Sequence, residues 1–134
     1  YVSRATGPQT TTVTSSILMK AREHNRAQGI TGVLCQGQGL YLQVLEGHRS
    51  VLNRLYARIV ADRRHHDVEL LLIEETEQRR FAQWSMALVA LDVQDPMVQM
   101  NHPEFDPYSA PGAAVLRMVE ELVAGGSVID VPAQ

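Results

Sequence analysis

Two side chains that can hydrogen-bond occupy positions where regular secondary structure would favour apolar residues. Gln43 lies in a run of apolar residues, and strand alternation places it on the same face as Tyr41 and Leu45. Ile17, Ala21 and Asn25 are spaced four residues apart, so in a helix the Asn25 carboxamide shares a face with two apolar residues. A buried carboxamide must find partners for its donors and its acceptor. Both positions therefore predict a polar contact on an otherwise apolar surface.

A third such group, the phenol of Tyr1, opens the first predicted strand. In a βαββαβ sheet this strand is an inner one, so the hydroxyl would point between the two helices. Three uncharged hydrogen-bonding groups aimed at one groove suit a flat heteroaromatic ligand with a polar edge. Ile17 and Ile59, one on each helix, would close on its two faces. Taken singly, each polar residue has a structural alternative: Gln43 bonding a neighbouring backbone, Asn25 capping its helix, or Tyr1 fraying.

Alternating and helical patterns define the elements that must position these groups. Strands are predicted at residues 1–5, 31–35, 40–46, 68–75 and 84–91. One helix is predicted from Thr14 or Ser15 to a stop at Gly29, and another from a cap at Ser50 to residue 60, followed by Arg63 and Arg64. The order predicts an α+β, ferredoxin-like βαββαβ fold with an extra fifth strand and both helices on one sheet face.

The character of the sequence changes after residue 91. We expect one domain at residues 1–91 and a C-terminal extension at 92–134 that contains one helix at about 113–124. The apolar stripe of this helix comprises Val115, Leu116, Val119, Leu122 and Val123. Such a stripe is too wide to face water. We therefore predict that the helix packs on the open face of the sheet, or on the same face of a second copy.

Charge and cysteine content narrow the possible partners. The 134 residues carry 12 basic and 15 acidic side chains, and a net charge of −3 disfavours nucleic acid. Cys35 is the only cysteine, which excludes an internal disulfide framework and favours a reducing cytoplasm. The apolar runs at 70–73 and 87–91 are too short to span a bilayer. His65 and His66 are the one adjacent histidine pair, and side chains at the end of a helix would point apart, so no metal site is expected.

Over residues 1–91 the chain resembles the BLUF family of flavin-based blue-light sensors. The matching motifs, in order, are YVSRA at 1–5, Asn25 with GITG at 29–32, LQVLEG at 42–47, DRRH at 62–65 and RRFAQWSM at 79–86. The resemblance implies that Tyr1 is the photoactive tyrosine and that Gln43 is the switching glutamine at the flavin N5/C4=O edge. It also implies that Asn25 holds the polar pyrimidine edge of the flavin.

The resemblance assigns further cofactor contacts. Ile17 and Ile59 fall on the aliphatic residues that flank the flavin ring, and Asp62 on a residue near the ribityl chain. Arg64 and His65 fall on basic residues near the cofactor, with the arginine toward phosphate. His24 is either a contact of the ring edge or a solvated helix residue.

The family mechanism implies a change of hydrogen bonding without a chemical product. Excited flavin oxidises the tyrosine, and the Gln43 amide relays the proton and then rotates or tautomerises. Trp84 and Met86 fall on a last-strand pair that exchanges positions near the glutamine, and which of the two faces the flavin stays open.

The implied protein is a short, stand-alone sensor without an output enzyme. Its cofactor would be FAD, with FMN as a possibility, and its partners a second copy of the chain and an unidentified downstream protein. Two rival hypotheses remain: a ferredoxin-like binding module without cofactor, and an acylphosphatase-like hydrolase. The hydrolase would need a glycine-rich phosphate loop beside the first strand, which residues 4–8 do not supply.

Overall fold

The computed structural model describes residues 1–91, 106–126 and 128–130. The remainder of the predicted C-terminal extension, at 92–105, 127 and 131–134, lies outside the described residues. The elements are β1 (Val2–Ala5), α1 (Thr11–Gln28), β2 (Thr31–Gly37), β3 (Leu40–Glu46), α2 (Arg49–Ala61), β4 (His65–Glu69), β5 (Ala87–Ala90), α3 (Gly112–Ala124) and β6 (Val128–Asp130).

One mixed sheet of six strands organises the chain, in the order β4-β1-β3-β2-β5-β6. Strands β4, β1, β3 and β2 pair antiparallel, β5 pairs parallel to β2, and β6 pairs antiparallel to β5. Strand β1 is an inner strand between β4 and β3, as predicted. The α+β, ferredoxin-like arrangement with an added fifth strand is confirmed, while β6 was not predicted.

Local hydrogen bonds explain where α1 and α2 begin and end. Helix α1 begins one turn earlier than predicted because the Thr10 hydroxyl accepts a hydrogen bond from the Val13 N–H at 3.3 Å. It ends as predicted at Gly29, whose φ of 70° lies in the left-handed region. Helix α2 begins at Arg49 with His48 as its N-cap, so the predicted cap Ser50 lies inside the helix.

Strands β2 and β4 begin or end at residues other than predicted, because pairing with a neighbouring strand, and not composition, decides where each strand ends. The β2–β3 hairpin turns at Gln38 and Gly39, with φ of 55° and 77°, so β2 extends to Gly37. Strand β4 occupies residues 65–69 rather than the predicted 68–75, because its ladder is formed only opposite β1. The histidine pair consequently lies on a strand and not at a helix end.

Each face of the sheet carries its own cluster of buried apolar side chains. On the face covered by α1, Leu18 packs with Leu34, Tyr41, Met86 and Leu88. On the opposite face, Val115, Val119 and Leu122 of α3 pack against a larger cluster from the strands, which includes Val2, Val33, Cys35, Leu42 and Val89. The prediction that the C-terminal helix packs on the open face of the sheet is therefore confirmed.

Candidate functional site

A cavity of about 330 Å³ lies between α1 and α2, above the sheet. It is lined by all nine residues predicted to contact a cofactor: Tyr1, Ile17, His24, Asn25, Gln43, Ile59, Asp62, Arg64 and His65. Its volume falls at the lower end of the range of about 300–1,000 Å³ that is typical of small-molecule sites. Sequence spacing pointed to five of these nine residues, Tyr1, Ile17, Asn25, Gln43 and Ile59, and the family resemblance implied Asp62, Arg64 and His65.

Tyr1 and Gln43, which line the cavity, form a hydrogen-bonded triad with Met86. The Tyr1 hydroxyl donates to Oε1 of Gln43 at 2.6 Å, and Nε2 of Gln43 donates to the Met86 sulfur at 3.4 Å. The Tyr1 nitrogen and the Gln43 N–H also each donate to the backbone carbonyl of the other residue at 3.1 Å. Tyr1 is therefore anchored and not frayed, and the Gln43 amide is oriented by side chains rather than by a neighbouring backbone group.

The electrostatic setting of Tyr1 keeps its phenol protonated. Burial is the main cause that raises the pKa of the Tyr1 hydroxyl, and the neighbouring Tyr56 and Asp62 raise this pKa further. The Tyr56 ring contacts the Tyr1 ring edge-on, with 5.9 Å between centroids. Tyr1 therefore retains the O–H that it donates to Gln43.

Asn25 connects α1 to the chain segment that precedes β5. The residue is 2% exposed, and its Nδ2 donates to the Ser85 carbonyl at 2.8 Å. Arg22, one turn earlier on α1, donates from Nε to the Met86 carbonyl at 3.0 Å. The alternative role of the Asn25 side chain as a helix cap is not observed, since Gly29 ends the helix. Asn25 thus lies where a cavity wall and the Ser85–Met86 backbone meet.

The His24 ring lines the cavity and contains one buried nitrogen without a hydrogen-bond partner among the described residues. Because an arginine only donates, Nη2 of Arg58 gives a hydrogen bond of 2.7 Å to Nε2 of His24. In the neutral ring Nδ1, the unpartnered atom, then carries the proton.

Asp62 and Arg64 form a close ion pair at the end of α2. Arg64 donates to both Asp62 carboxylate oxygens, and its Nη2 approaches Oδ2 to 2.5 Å. The side-chain hydrogen bond from Arg64 lowers the pKa of Asp62. Helix α2 ends at Ala61, so Arg64 lies in the turn before β4 and not at the helix end as predicted.

His65, in the wall of the cavity, joins three elements. Nε2 of His65 lies 2.5 Å from the Ile59 carbonyl oxygen. Because a carbonyl oxygen can only accept, Nε2 is the donor of this hydrogen bond. In the neutral ring, Nδ1 then accepts from the buried Ser3 hydroxyl at 2.7 Å. The ring therefore fixes β4 and β1 to the last turn of α2, which carries the predicted flank Ile59.

Trp84 and Met86 lie on opposite sides of the sheet. Met86 is fully buried on the cavity side, where it accepts from Gln43. Trp84 stacks on Phe81 with 6.4 Å between ring centroids, and it packs with the cluster that contains α3. Neither residue belongs to a strand, because β5 begins at Ala87 and not at residue 84 as predicted. Met86 thus lies on the α1 side of the sheet, next to Gln43, and Trp84 lies on the α3 side.

The cavity suits a flat ring with polar atoms along one edge. Ile17 and Ile59 come from opposite helices, while Gln43 and Asn25 supply amide groups on the wall. This donor set matches the expectation of a flavin. The residues present therefore fit that cofactor.

Sequence reasoning missed several side chains at the site. Arg58 lines the cavity, and Tyr56 supports Tyr1. Helical spacing could have found both, since they lie within one turn of Ile59. The Ser3–His65 contact had no sequence signal, because it depends on the β1–β4 register.

Neither a metal site nor a membrane-spanning helix is found in the described ranges. No three His, Cys, Asp or Glu side chains there are grouped to hold a metal ion. None of the helices in those ranges is long and apolar enough to cross a membrane.

Comparison with known proteins converges on one family. Residues 1–87 match the family described as "BLUF: Sensors of blue-light using FAD". Photoactivated adenylate cyclase subunit beta from Euglena gracilis is 36% identical over 87 residues, which is 64% of this chain and 10% of that protein. The chain thus spans about a tenth of the length of this relative.

Two solved structures share the architecture. The dark state of BlrB, a BLUF protein, has a TM-score of 0.74 at 26% identity, and the match covers 92% of this chain and 91% of BlrB. The photo-activated state of BlsA has a TM-score of 0.79 at 24% identity, and the match covers 99% of this chain and 95% of BlsA. The likeness to BlsA concerns the fold, and it extends beyond residues 1–87 into the C-terminal region.

Proposed function

Because the chain belongs to the BLUF family of flavin-binding blue-light sensors, we propose that it signals through a hydrogen-bond switch at Tyr1 and Gln43. The observation that carries the proposal is the 2.6 Å hydrogen bond from the Tyr1 hydroxyl to Oε1 of Gln43. It gives the phenol proton a route to an amide that has both a donor and an acceptor end.

The switch follows from the two ends of the Gln43 amide. When bound, the flavin supplies light absorption and, once excited, the capacity to take one electron. Tyr1 is the nearby donor, and Gln43 Oε1 can receive its proton. If the amide rotates or tautomerises, the group opposite the Tyr1 oxygen changes, and the Met86 sulfur meets a different amide atom. Such a local exchange alters the hydrogen bonds offered to the ring without a net chemical product.

We propose FAD as the cofactor, with FMN as the alternative. Asn25 and His24 would hold the polar ring edge, and Ile17 and Ile59 would flank the ring. Asp62 would approach the ribityl chain. Arg64 and His65 would lie near the cofactor, with Arg64 toward phosphate.

The output of the sensor is proposed to pass through α3. Trp84 and Phe81 pack in the same cluster as α3, so a change at the adjacent Met86 has a packed path to that helix. The division into a sensor at 1–91 and an extension at 92–134 remains a prediction. So do a stand-alone, non-enzymatic role, a second copy and a downstream protein as partners, and a cytoplasmic location.

Absorption spectroscopy in darkness and under blue light tests the proposal. We expect a yellow protein whose flavin bands shift to the red under blue light and return in darkness. A colourless protein that takes up neither FAD nor FMN would refute the cofactor assignment. A yellow protein with an unchanging spectrum would refute the switch.

A further inference from the structure

Glu46 is a buried carboxylate that the proposed switch does not use. It ends β3 and is 8% exposed. Its Oε2 accepts from the Arg80 N–H at 2.6 Å, and its Oε1 accepts from the Phe81 N–H at 2.9 Å and from the Thr31 hydroxyl at 3.1 Å. Hydrogen bonds to a charged acceptor are roughly twice as strong as neutral ones. Glu46 thus fixes the start of the segment that leads to Trp84 and Met86.

The two residues held by Glu46 both reach α3. Phe81 is 2% exposed and packs with Val115, Val119 and Leu122 of α3 in one cluster. The Arg80 guanidinium pairs with Glu120 of α3 at 3.0 Å. A shift of the Arg80–Phe81 backbone would therefore act on α3 through an apolar contact and through an ion pair.

Strand β3 connects the Glu46 contacts to the cavity. Gln43 points to the cavity, and alternation turns Glu46, three residues later, to the α3 side of the sheet. The two faces of one short strand therefore carry the proposed switch and the anchor of the segment that contacts α3. Because packed interiors transmit strain, a displacement of β3 reaches both groups.

We propose that Glu46 is a positioning residue that couples Gln43 to α3 through Arg80 and Phe81. This inference rests on the proposed function and adds a route along β3 to the one through Met86 and Trp84. Glu46 does not touch the cavity, so its loss should separate the flavin response from the response of α3.

The test is Glu46→Gln, studied by hydrogen exchange of α3 in darkness and under blue light in the full chain. Glutamine keeps the volume and one acceptor but places an NH₂ donor against a backbone N–H. We expect the red shift of the flavin bands to persist while the light-dependent difference in α3 exchange is reduced, because the route through Met86 and Trp84 remains.

Two further variants keep the inference falsifiable. Glu120→Gln removes the α3 end of the ion pair and leaves the Glu46 bonds intact, so it should reduce the α3 response even if Glu46→Gln does not fold. Glu121→Gln makes the same charge change at an exposed position of α3 and should leave that response unchanged.

Three results would overturn the inference: a full α3 response in Glu46→Gln, a full response in Glu120→Gln, or a wild-type α3 that does not respond while the flavin bands shift. Absence of the red shift in the wild type would instead refute the proposed function.

Discussion

Replacement of Asn25 by alanine should weaken flavin binding and, separately, destabilise the protein without flavin. Asn25 is 2% exposed, lines the cavity, and donates from Nδ2 to the Ser85 carbonyl at 2.8 Å. Alanine would leave the buried ring edge without its proposed partner, and an unpaired buried group costs about 1–3 kcal/mol. That free energy corresponds to a flavin Kd raised roughly 5- to 150-fold. Loss of the Ser85 contact should lower the free energy of unfolding of the apoprotein by a similar amount, about 1–3 kcal/mol.

Two measurements separate these effects. Titration of the apoprotein with flavin, followed by quenching of flavin fluorescence, gives the Kd, and urea unfolding of the apoprotein gives its stability. Asn53→Ala is the matched control, because Nδ2 of Asn53 bonds the Arg49 carbonyl at 2.9 Å on an exposed turn of α2, outside the cavity. A normal Kd in a destabilised Asn25→Ala protein would show that Asn25 stabilises the fold but does not contribute to flavin binding. A normal Kd with normal stability would refute both parts of the reasoning.

Three other predictions test the site and the fold. Tyr1→Phe and Gln43→Leu should each retain flavin but lose the red-shifted state in absorption spectra under blue light, and a normal photocycle in either variant would remove that residue from the mechanism. The Arg64 hydrogen bond holds the pKa of Asp62 below its unfolded value of about 3.9, so this contribution to stability is present above about pH 4 and is lost as the pH falls through the lowered pKa. Asp62→Asn should therefore show a smaller fall in urea midpoint on acidification than the wild type, and an equal fall would contradict the assignment. Leu122→Ala, at a position 6% exposed, should lower the free energy of unfolding by about 2–5 kcal/mol in urea titration, whereas a loss below 1 kcal/mol would place α3 off the sheet.

The convergence of the site could be predicted because it depends on short-range periodicity. A period of two places Gln43 beside Tyr41 on the cavity face, and a period near four places Asn25 below Ile17. The element order then brings strand and helix together without knowledge of any long-range contact. The apolar stripe of α3 likewise required a cover, and the uncovered sheet face supplied it.

Contacts that depend on register or on a neighbour's length could not be predicted. The apolar run at 70–73 has the composition of a strand, yet β4 is formed at 65–69, where β1 provides partners. His65 thereby faces Ser3, and its other nitrogen reaches the Ile59 carbonyl. Composition reports the propensity to be a strand, whereas pairing decides which residues form it.

The orientation of Trp84 and Met86 illustrates the same limit at the site itself. Residues two apart share a face only within a strand, and alternation would have placed both side chains on one side of the sheet. The chain enters β5 only at Ala87, after a turn in which the Trp84 N–H donates to the Phe81 carbonyl. This turn lets Met86 reach the Gln43 amide while Trp84 stacks on Phe81 beside α3. The irregular segment therefore contacts both faces of the sheet, which a regular strand with these two residues in alternation could not do.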